Sequence, residues 1–309
     1  MTNLKIISLL PAATEIVCAL GLESQLIGRS HECDFPESVK HLPVCSSAKF
    51  ISGSDSAEID RQVKEILTDA LSIYTIDRDL IRQLNPDFII TQAQCEVCAV
   101  SLRDVEEALE GLLGKECKII SLQPNTLTDV YNDIRRIAEI LGVSSHSDGL
   151  LERADERLNI IRHKLKFISE RPKVACIEWL APLMIAGNWT PELVQIAGGD
   201  PILGVNGKHS PFIDFADILR EDPDIVVVMP CGFSISRTLQ EINLLLDLPG
   251  WQDLKAVKNN RIYIADGNQY FNRSGPRLTD SIEILAEIIN SKQFVFGYEG
   301  EGWIRFNVN

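Results

Sequence analysis

The chain has 309 residues, of which 45% are hydrophobic and 24% charged, a composition typical of a globular protein large enough for two domains. Its formal net charge of −14 at pH 7 argues against nucleic acid as a partner, because phosphate backbones are bound by dense Lys and Arg. The sequence contains no uncharged apolar stretch long enough to cross a bilayer, so we predict no insertion into a membrane.

The N-terminal residues enter an apolar, strand-like segment directly and then reach Pro11 and Glu15. A secretory signal would need a longer apolar core and a cleavage site of small residues. We therefore predict a cytoplasmic protein, or a periplasmic one if a leader has been removed. In such a chain the eight cysteines are more typical of reduced thiols or metal ligands than of disulfides.

The first part of the chain alternates between apolar β-branched segments and amphipathic segments. Strands are predicted at 4–9, 25–28, 88–91 and 118–122, and helices at 12–20, 59–71, 79–84, 105–113 and 128–141. Alternating strands and helices are typical of a parallel sheet with helices on both faces.

Between residues 147 and 169 apolar residues recur at three- and four-residue spacing, and charged residues fill the other face. This pattern predicts one amphipathic helix, roughly 30 Å long at 1.5 Å per residue. We interpret it as a stiff connector between two lobes. The alternative, a coiled-coil seam, would rest on only six apolar residues.

The second part again alternates. Strands are predicted at 174–178, 225–229 and 261–265, and helices at 191–197 and 277–289. The tail from residue 294 has aromatic and glycine residues without a period, and the sequence assigns it no structure. The predicted domains are an N-terminal α/β lobe (1–145), a connecting helix (146–170), a C-terminal α/β lobe (171–292) and a tail (293–309).

An internal repeat supports this division. The segment from Ile76 to Ile90 reappears from Ile213 to Val227, each time as a short polar helix, a Pro-Asp turn and an apolar strand. One plan used twice predicts two similar lobes. The expected fold class is α/β: two Rossmann-like lobes with parallel sheets, joined by a single long rigid α-helix, with a ligand cleft between them.

In parallel α/β sheets, ligands bind beyond the carboxyl ends of the strands. The turns after the strands of the second lobe carry rings that could form an apolar wall: Trp179, Trp189, Phe233, Tyr270 and Phe271. Ordinary core packing is the alternative for each ring. The same turns carry Glu178, Asn268 and Arg273, and Arg273 could hold an acidic group of a ligand or pair with a surface carboxylate.

The turns of the first lobe carry thiols. Cys95 and Cys98 have a chelate spacing, His31 and Cys33 occupy another turn, and Cys231 follows a strand of the second lobe. Thiolates with imidazole suit zinc or an iron–sulfur cluster. The alternatives are reduced thiols that pack as small hydrophobic groups, or a redox Cys-x-x-Cys, around which no thioredoxin-type pattern is found.

Several motifs together resemble the substrate-binding proteins of ABC importers for vitamin B12 and iron chelates. They are Ile7 to Glu15, Asn85-Pro86-Asp87, the long central helix, and Tyr270-Phe271 with Arg273, Pro276 and Arg277. The resemblance extends to about Ile289 and implies two α/β lobes on one rigid helix, with the ligand held by aromatic rings. The ligand positions that it implies are Glu32, Gln92, Trp179, Phe233, Tyr270 and Phe271.

The resemblance also implies docking on an ABC permease through one glutamate per lobe. This sequence has Asp79 and Ala216 at those positions, so one docking acid is shorter and the other is absent, although Asp214 or Asp217 could substitute. The importer proteins are exported, whereas no leader is evident here.

We therefore predict a binding protein that holds a small-molecule metal chelate, a cobalamin-like corrinoid or another, without catalysing a reaction. Cobalt in a corrinoid could accept an axial His or thiolate, which would fit the thiol-rich turns. The alternative is a metal-binding protein or metalloenzyme with a zinc or iron–sulfur site. Its candidate ligands are His31, Cys33, Cys95, Cys98 and Cys231.

Overall fold

The computed structural model describes residues 4–49, 51, 53–69, 74–92 and 117–307. The chain divides into two compact units. The first comprises Met1–Ser54, Glu58–Pro124 and Thr128–Leu151, and the second comprises Asp55–Ala57, Asn125–Leu127 and Glu152–Asn309. The domain boundaries drawn from the sequence stay a prediction, and the helix predicted at 105–113 lies outside the described residues.

The first unit contains a parallel sheet. In chain order its strands are β1 (Ile6–Ser8), β2 (Leu26–Arg29), β3 (Ser46–Ala48), β4 (Tyr74–Ile76), β5 (Phe88–Gln92) and β6 (Lys118–Leu122). The sheet order is β2-β1-β5-β6 and each pairing is parallel. The strands β3 and β4 form a separate antiparallel pair that the sequence did not predict.

The described part of the chain up to residue 165 also contains helices. They are α1 (Pro11–Ala19), α2 (Ser56–Asp69), α3 (Arg78–Leu84), α4 (Leu127–Ile140) and α5 (Ser144–Leu165), with 3₁₀ turns at Glu23–Gln25 and Glu37–His41. Pro11 suits the first helical position of α1, because its fixed φ fits a helix and its missing N–H is not needed there.

The second unit contains a mixed sheet. Its strands are β7 (Lys173–Trp179), β8 (Met184–Ile185), β9 (Asp200–Pro201), β10 (Ile225–Val228), β11 (Ile262–Ala265) and β12 (Trp303–Phe306). The order is β12-β11-β10-β7-β8, and β9 pairs with β7. β7, β10 and β11 are parallel, whereas β8 and β12 run antiparallel at the two ends of that order.

Short helices connect the strands of the second unit. They are α6 (Thr190–Ile196), α7 (Phe215–Glu221), α8 (Ile235–Glu241), α9 (Asn243–Leu246), α10 (Lys255–Lys258) and α11 (Leu278–Ile289), with a 3₁₀ turn at Trp251–Asp253 and a π-helical turn at Gly267–Phe271. Parallel strands alternating with helices in both units confirm the predicted α/β fold class.

The internal repeat is visible in the backbone. The helices α3 and α7 each have seven residues and follow an aspartate at the N-cap, Asp77 and Asp214. Each ends in a left-handed residue, Asn85 with φ of 48° and Asp222 with φ of 46°. Each then enters a fully buried strand, as the repeated Pro-Asp turn predicts.

The amphipathic helix predicted from the three- and four-residue periodicity is confirmed as α5. Leu151, Leu158 and Ile161 are buried along one stripe. The helix begins earlier than predicted and ends at Leu165 rather than at residue 169. In the described part of the chain, no helix combines the length and apolar character that a membrane span requires.

Arg157 on α5 is held by two carboxylates of α11. Its Nη2 lies 2.5 Å from Asp280 Oδ1 and 2.6 Å from Glu283 Oε2, and its Nε donates to Glu283 Oε1 over 2.8 Å. These hydrogen bonds raise the pKa of Arg157, while burial opposes them. The guanidinium therefore joins α5 to the last helix within the second unit.

The tail belongs to the second sheet. The buried carboxylate of Glu287 accepts hydrogen bonds from the backbone N–H groups of Phe296, Gly297 and Tyr298 and from the indole of Trp303. This arrangement satisfies four donors with one anionic side chain. The chain then continues into β12, which pairs with β11.

We predict that Glu287→Gln lowers the free energy of unfolding by about 1–3 kcal/mol, because the amide group of Gln leaves buried N–H donors without an acceptor. Urea denaturation measures the change. Glu299→Gln, an exposed tail carboxylate, is the matched control and should have little effect. Equal stabilities of the two variants would contradict the role of Glu287.

Candidate functional site

The turns after β7, β10 and β11 meet at one edge of the second sheet. The strands are in register, with Val228 of β10 opposite Ile177 of β7 and Ile264 of β11. Two backbone hydrogen bonds continue beyond the strands: Cys231 N donates to Glu178 O over 3.0 Å, and Asn268 N donates to Phe233 O over 3.1 Å. The structure thus brings together three of the turns that the sequence singled out.

Two of the predicted aromatic residues are paired. The rings of Trp179 and Phe233 lie 5.2 Å apart at an angle of 57°. The guanidinium of Arg237 lies 4.7 Å from the centroid of the Phe233 ring and also forms an ion pair with Glu241. Phe233 is therefore fixed by an aromatic and a cation–π contact. Sequence reasoning missed Arg237 because it lies on α8, beyond the turn itself.

Glu178 is a partly buried carboxyl group with a defined hydrogen-bond partner. Ser210 Oγ donates to Glu178 Oε2 over 2.8 Å and accepts from Gly187 N over 2.9 Å. Burial raises the pKa of Glu178, and the hydrogen bond from Ser210, the charge of His209 and the Gly187 N–H oppose this shift. The carboxyl group is therefore harder to ionise than one in water.

The other three predicted aromatic residues are buried. Phe271 has no exposed surface, and its carbonyl accepts a hydrogen bond from the buried indole of Trp189 over 2.9 Å. Tyr270 is also buried, with the guanidinium of Arg277 5.4 Å from its ring centroid. Core packing, the alternative stated for each ring, describes Trp189 and Phe271 in this structure; their role as ligand contacts stays a prediction.

The π-helical turn that carries Asn268 and Tyr270 is tightly bonded. Asp266 Oδ1 accepts from Gln269 N over 2.8 Å, and Arg273 donates to Asn268 Oδ1 over 3.0 Å. Burial raises the pKa of Asp266 against the opposing hydrogen bonds and arginine charges. Arg273 is buried, so the structure places its charge inside the turn rather than on the surface.

In the first unit the predicted residues His31 and Glu32 contact residues of the antiparallel pair β3 and β4. Tyr74 donates from its hydroxyl to Glu32 Oε1 over 3.1 Å, and its ring lies 5.3 Å from that of His31. His31 Nδ1 lies 3.0 Å from Ser46 Oγ. Burial, aided by Arg29, lowers the pKa of His31, which favours the neutral imidazole at pH 7.

Gln92 is buried at the end of β5, opposite Leu122 of β6. Gln92 thus lies at the end of β5, and Glu32 lies on the turn that follows β2, as expected. Sequence reasoning missed Tyr74 and Ser46, because their short strands show no alternating pattern.

The cysteines of the described residues behave as thiols. Cys33 is fully buried with its Sγ 3.9 Å from Ser8 O, and Cys231 is half-buried. Burial raises the pKa of Cys45 to about 11 and those of Cys18 and Cys176 to about 12. A neutral thiol is a poor metal ligand and a poor nucleophile.

Within the described ranges, no three His, Cys, Asp or Glu side chains are grouped in a way that could hold a metal ion. The zinc or iron–sulfur site predicted from His31, Cys33 and Cys231 therefore has no support in that part of the chain. The other two predicted ligands, Cys95 and Cys98, lie outside the described residues.

Comparison with known proteins identifies the family. Residues 6–268 match the family model described as periplasmic binding protein, and the chain belongs to this family. An uncharacterized ABC transporter substrate-binding lipoprotein of Bacillus subtilis is 24% identical, covering 94% of this chain and 81% of the relative. The vitamin B12-binding protein of Vibrio vulnificus is 25% identical, covering 92% and 89%.

Solved structures show the same fold. The periplasmic vitamin B12 binding protein of Vibrio cholerae superimposes with a TM-score of 0.68 at 19% identity, covering 94% of this chain and 97% of that one. The S. aureus protein IsdE, complexed with heme, superimposes with a TM-score of 0.71 at 15% identity, covering 93% and 99%.

We predict that Gly267→Ala displaces the π-helical turn. A Cβ at this position would lie 2.1 Å from Pro230 O and 2.7 Å from Met229 O, so backbone must move, at a cost of about 1–3 kcal/mol in the free energy of unfolding. Thermal denaturation measures this loss. Gly53→Ala is the control, because a Cβ there meets no described atom within 4 Å. A Gly267→Ala variant as stable as the wild type would refute the close approach.

We also predict a pH-dependent difference between the wild type and Glu178→Gln. The folded-state pKa of Glu178 lies above its ordinary value of 4.5. Below that value the group is protonated in both states and carries no penalty; as pH rises above it, ionisation costs the folded wild type stability that the amide keeps. Urea denaturation between acidic and neutral pH should show Glu178→Gln gaining relative stability with pH. A constant difference would contradict the raised pKa.

Proposed function

We propose that this protein is the solute-binding component of an ABC importer and that its ligand is a cobalamin-like corrinoid. Membership of the periplasmic binding protein family supports the first part. The names of the relatives, an ABC transporter substrate-binding lipoprotein and several vitamin B12-binding proteins, support both parts. The observation that carries the proposal is the aromatic pair Trp179 and Phe233 at the meeting point of three strand-end turns.

The chemistry of these turns suits a large, flat macrocycle. Aromatic rings contact such a ring over a wide apolar area at little cost in conformational entropy. A corrinoid also carries amide groups on its rim, which need hydrogen-bond partners. Glu178 and Asn268 belong to the same turns as the aromatic pair, and a carboxyl group with a raised pKa can donate as well as accept.

A chelate with carboxylate groups, such as heme, is the second candidate. Arg273 and Arg277 are both buried and both bond to amide side chains of the π-helical turn, Asn268 and Gln269. Arginine in such a turn can bind a carboxylate through two parallel hydrogen bonds. A metal ion bound directly by His and Cys finds no support among the described residues.

The permease partner would dock through the acidic position on α3. Asp79 is exposed there, whereas the equivalent position on α7 is Ala216. The nearby Asp217 is engaged by Arg220 over 2.7 Å. An importer function also requires a location outside the cytoplasmic membrane, so it stands against the cytoplasmic location predicted from the N-terminus, and that location stays a prediction.

Titration calorimetry with cyanocobalamin tests the proposed ligand. We expect the wild type to bind, and Trp179→Ala and Phe233→Ala each to weaken binding about thirtyfold, since truncating a central aromatic contact costs roughly 2 kcal/mol. Phe167→Ala is the matched control, because its ring is 84% exposed and should leave the affinity unchanged.

Parallel titrations with heme and with a ferric chelate complete the experiment. Binding of heme or the ferric chelate without cyanocobalamin would overturn the corrinoid while keeping the solute-binding function. Failure of the wild type to bind any of the three would overturn both parts of the proposal.

A further inference from the structure

The tail lies beyond the residues that match the family model, which end at 268. Tyr298 in the tail is held by several hydrogen bonds. Its hydroxyl donates to Glu283 Oε2 over 3.0 Å and lies 3.3 Å from Arg157 Nη2. Its backbone carbonyl accepts from Gly302 N over 2.8 Å, and its backbone N–H donates to Glu287. The position of this ring is therefore fixed from two sides of the chain, by α5 and by α11.

The fixed ring contacts the π-helical turn. Tyr298 packs edge-on against Tyr270, with centroids 6.0 Å apart and an interplanar angle of 80°. This is a favourable geometry, in which the edge of one ring meets the face of the other. Tyr270 in turn lies on the turn whose Asn268 N–H donates to Phe233 O. A continuous series of contacts therefore leads from the tail to the aromatic pair.

The tail is also held by bonds that do not depend on the ring of Tyr298. Glu287 binds the tail through backbone N–H groups and the indole of Trp303. β12 pairs with β11 over four positions, from Trp303 opposite Ala265 to Phe306 opposite Ile262. These bonds do not involve the Tyr298 side chain, so its contact with Tyr270 acts on the turn rather than on the attachment of the tail.

We propose that Tyr298 is a positioning residue: its ring holds Tyr270 and so fixes the π-helical turn that presents Asn268 to Phe233. Tyr298 then acts on the turn of the proposed site through a contact outside the segment matched by the family. The contact of Tyr298 with Tyr270 and its effect on the turn can be tested without any ligand. The effect on affinity rests on the function proposed above.

Hydrogen exchange of the ligand-free protein tests the structural part. Tyr298→Leu removes the ring, and we expect the Asn268 amide to exchange about tenfold faster, because local opening of the turn becomes easier. Tyr298→Phe keeps the ring and loses only the hydroxyl bonds to Glu283 and Arg157. It should lower the melting temperature and speed exchange at Asn268 by less than Tyr298→Leu does, because the ring still contacts Tyr270.

Phe296→Leu is a second control. Phe296 stacks on Phe294 within the tail, with centroids 5.6 Å apart. Its loss should reduce overall stability without a selective effect at Asn268. If Tyr298→Leu leaves exchange at Asn268 unchanged, or if Tyr298→Phe raises it as much as Tyr298→Leu does, the positioning role is wrong.

The affinity arm uses cyanocobalamin as the probe. We expect Tyr298→Leu to weaken binding about fivefold or more, Tyr298→Phe to weaken it less, and Phe296→Leu to bind as the wild type does, since misplacing a contact by a small distance reduces affinity. If the wild type does not bind, the proposed ligand fails while the exchange result still decides the role of Tyr298. If the wild type binds and Tyr298→Leu binds equally well, the link from tail to ligand site is wrong.

Discussion

The second unit depends on the parallel, in-register pairing of β7, β10 and β11. Because parallel strands end at the same edge, their turns are neighbours in space although they are far apart in the sequence. Here the backbone bonds do not stop with the strands. The bonds from Cys231 to Glu178 and from Asn268 to Phe233 extend the pairing into the turns. The relative positions of the side chains there are thus set by backbone geometry rather than by side-chain packing alone.

The second unit also contains glycines at close backbone approaches and buried carboxyl groups. Backbone passes so close to Gly187 and Gly267 that a Cβ at either position would lie within 2.4 Å of a carbonyl oxygen. Burial raises the pKa of the carboxyl groups of Glu178 and Asp266. Hydrogen bonds from Ser210 and from the turn at Gln269 keep these groups satisfied.

Most of the α/β framework could be predicted from the sequence because its signals are local. The Pro-Asp turns, the periodicity of α5 and the β-branched runs at β5 and β10 each act over a few residues. The antiparallel pair of Ser46–Ala48 with Tyr74–Ile76 could not be predicted, because three-residue strands are too short to show an alternation of apolar and polar residues. The structure of the tail could not be predicted either. β12 depends on its pairing with β11 and on the hydrogen bond from Trp303 to the distant carboxylate of Glu287. Of the site, the turns were predictable but the partners Tyr74 and Arg237, which lie on other elements, were not.

Similar folds occur in proteins that bind different ligands. The vitamin B12 binding protein of Vibrio cholerae and the heme-complexed IsdE share the fold of this chain with TM-scores of 0.68 and 0.71, at only 19% and 15% identity. A scaffold that tolerates such divergence constrains where ligand contacts are placed but leaves their chemistry free. In this chain the second unit supplies an aromatic pair, buried arginines and a carboxyl group that resists ionisation. The first unit supplies a neutral imidazole with a phenol and a carboxyl group. Under the proposed function, the chemistry of these few side chains, rather than the architecture, would determine which ligand is bound.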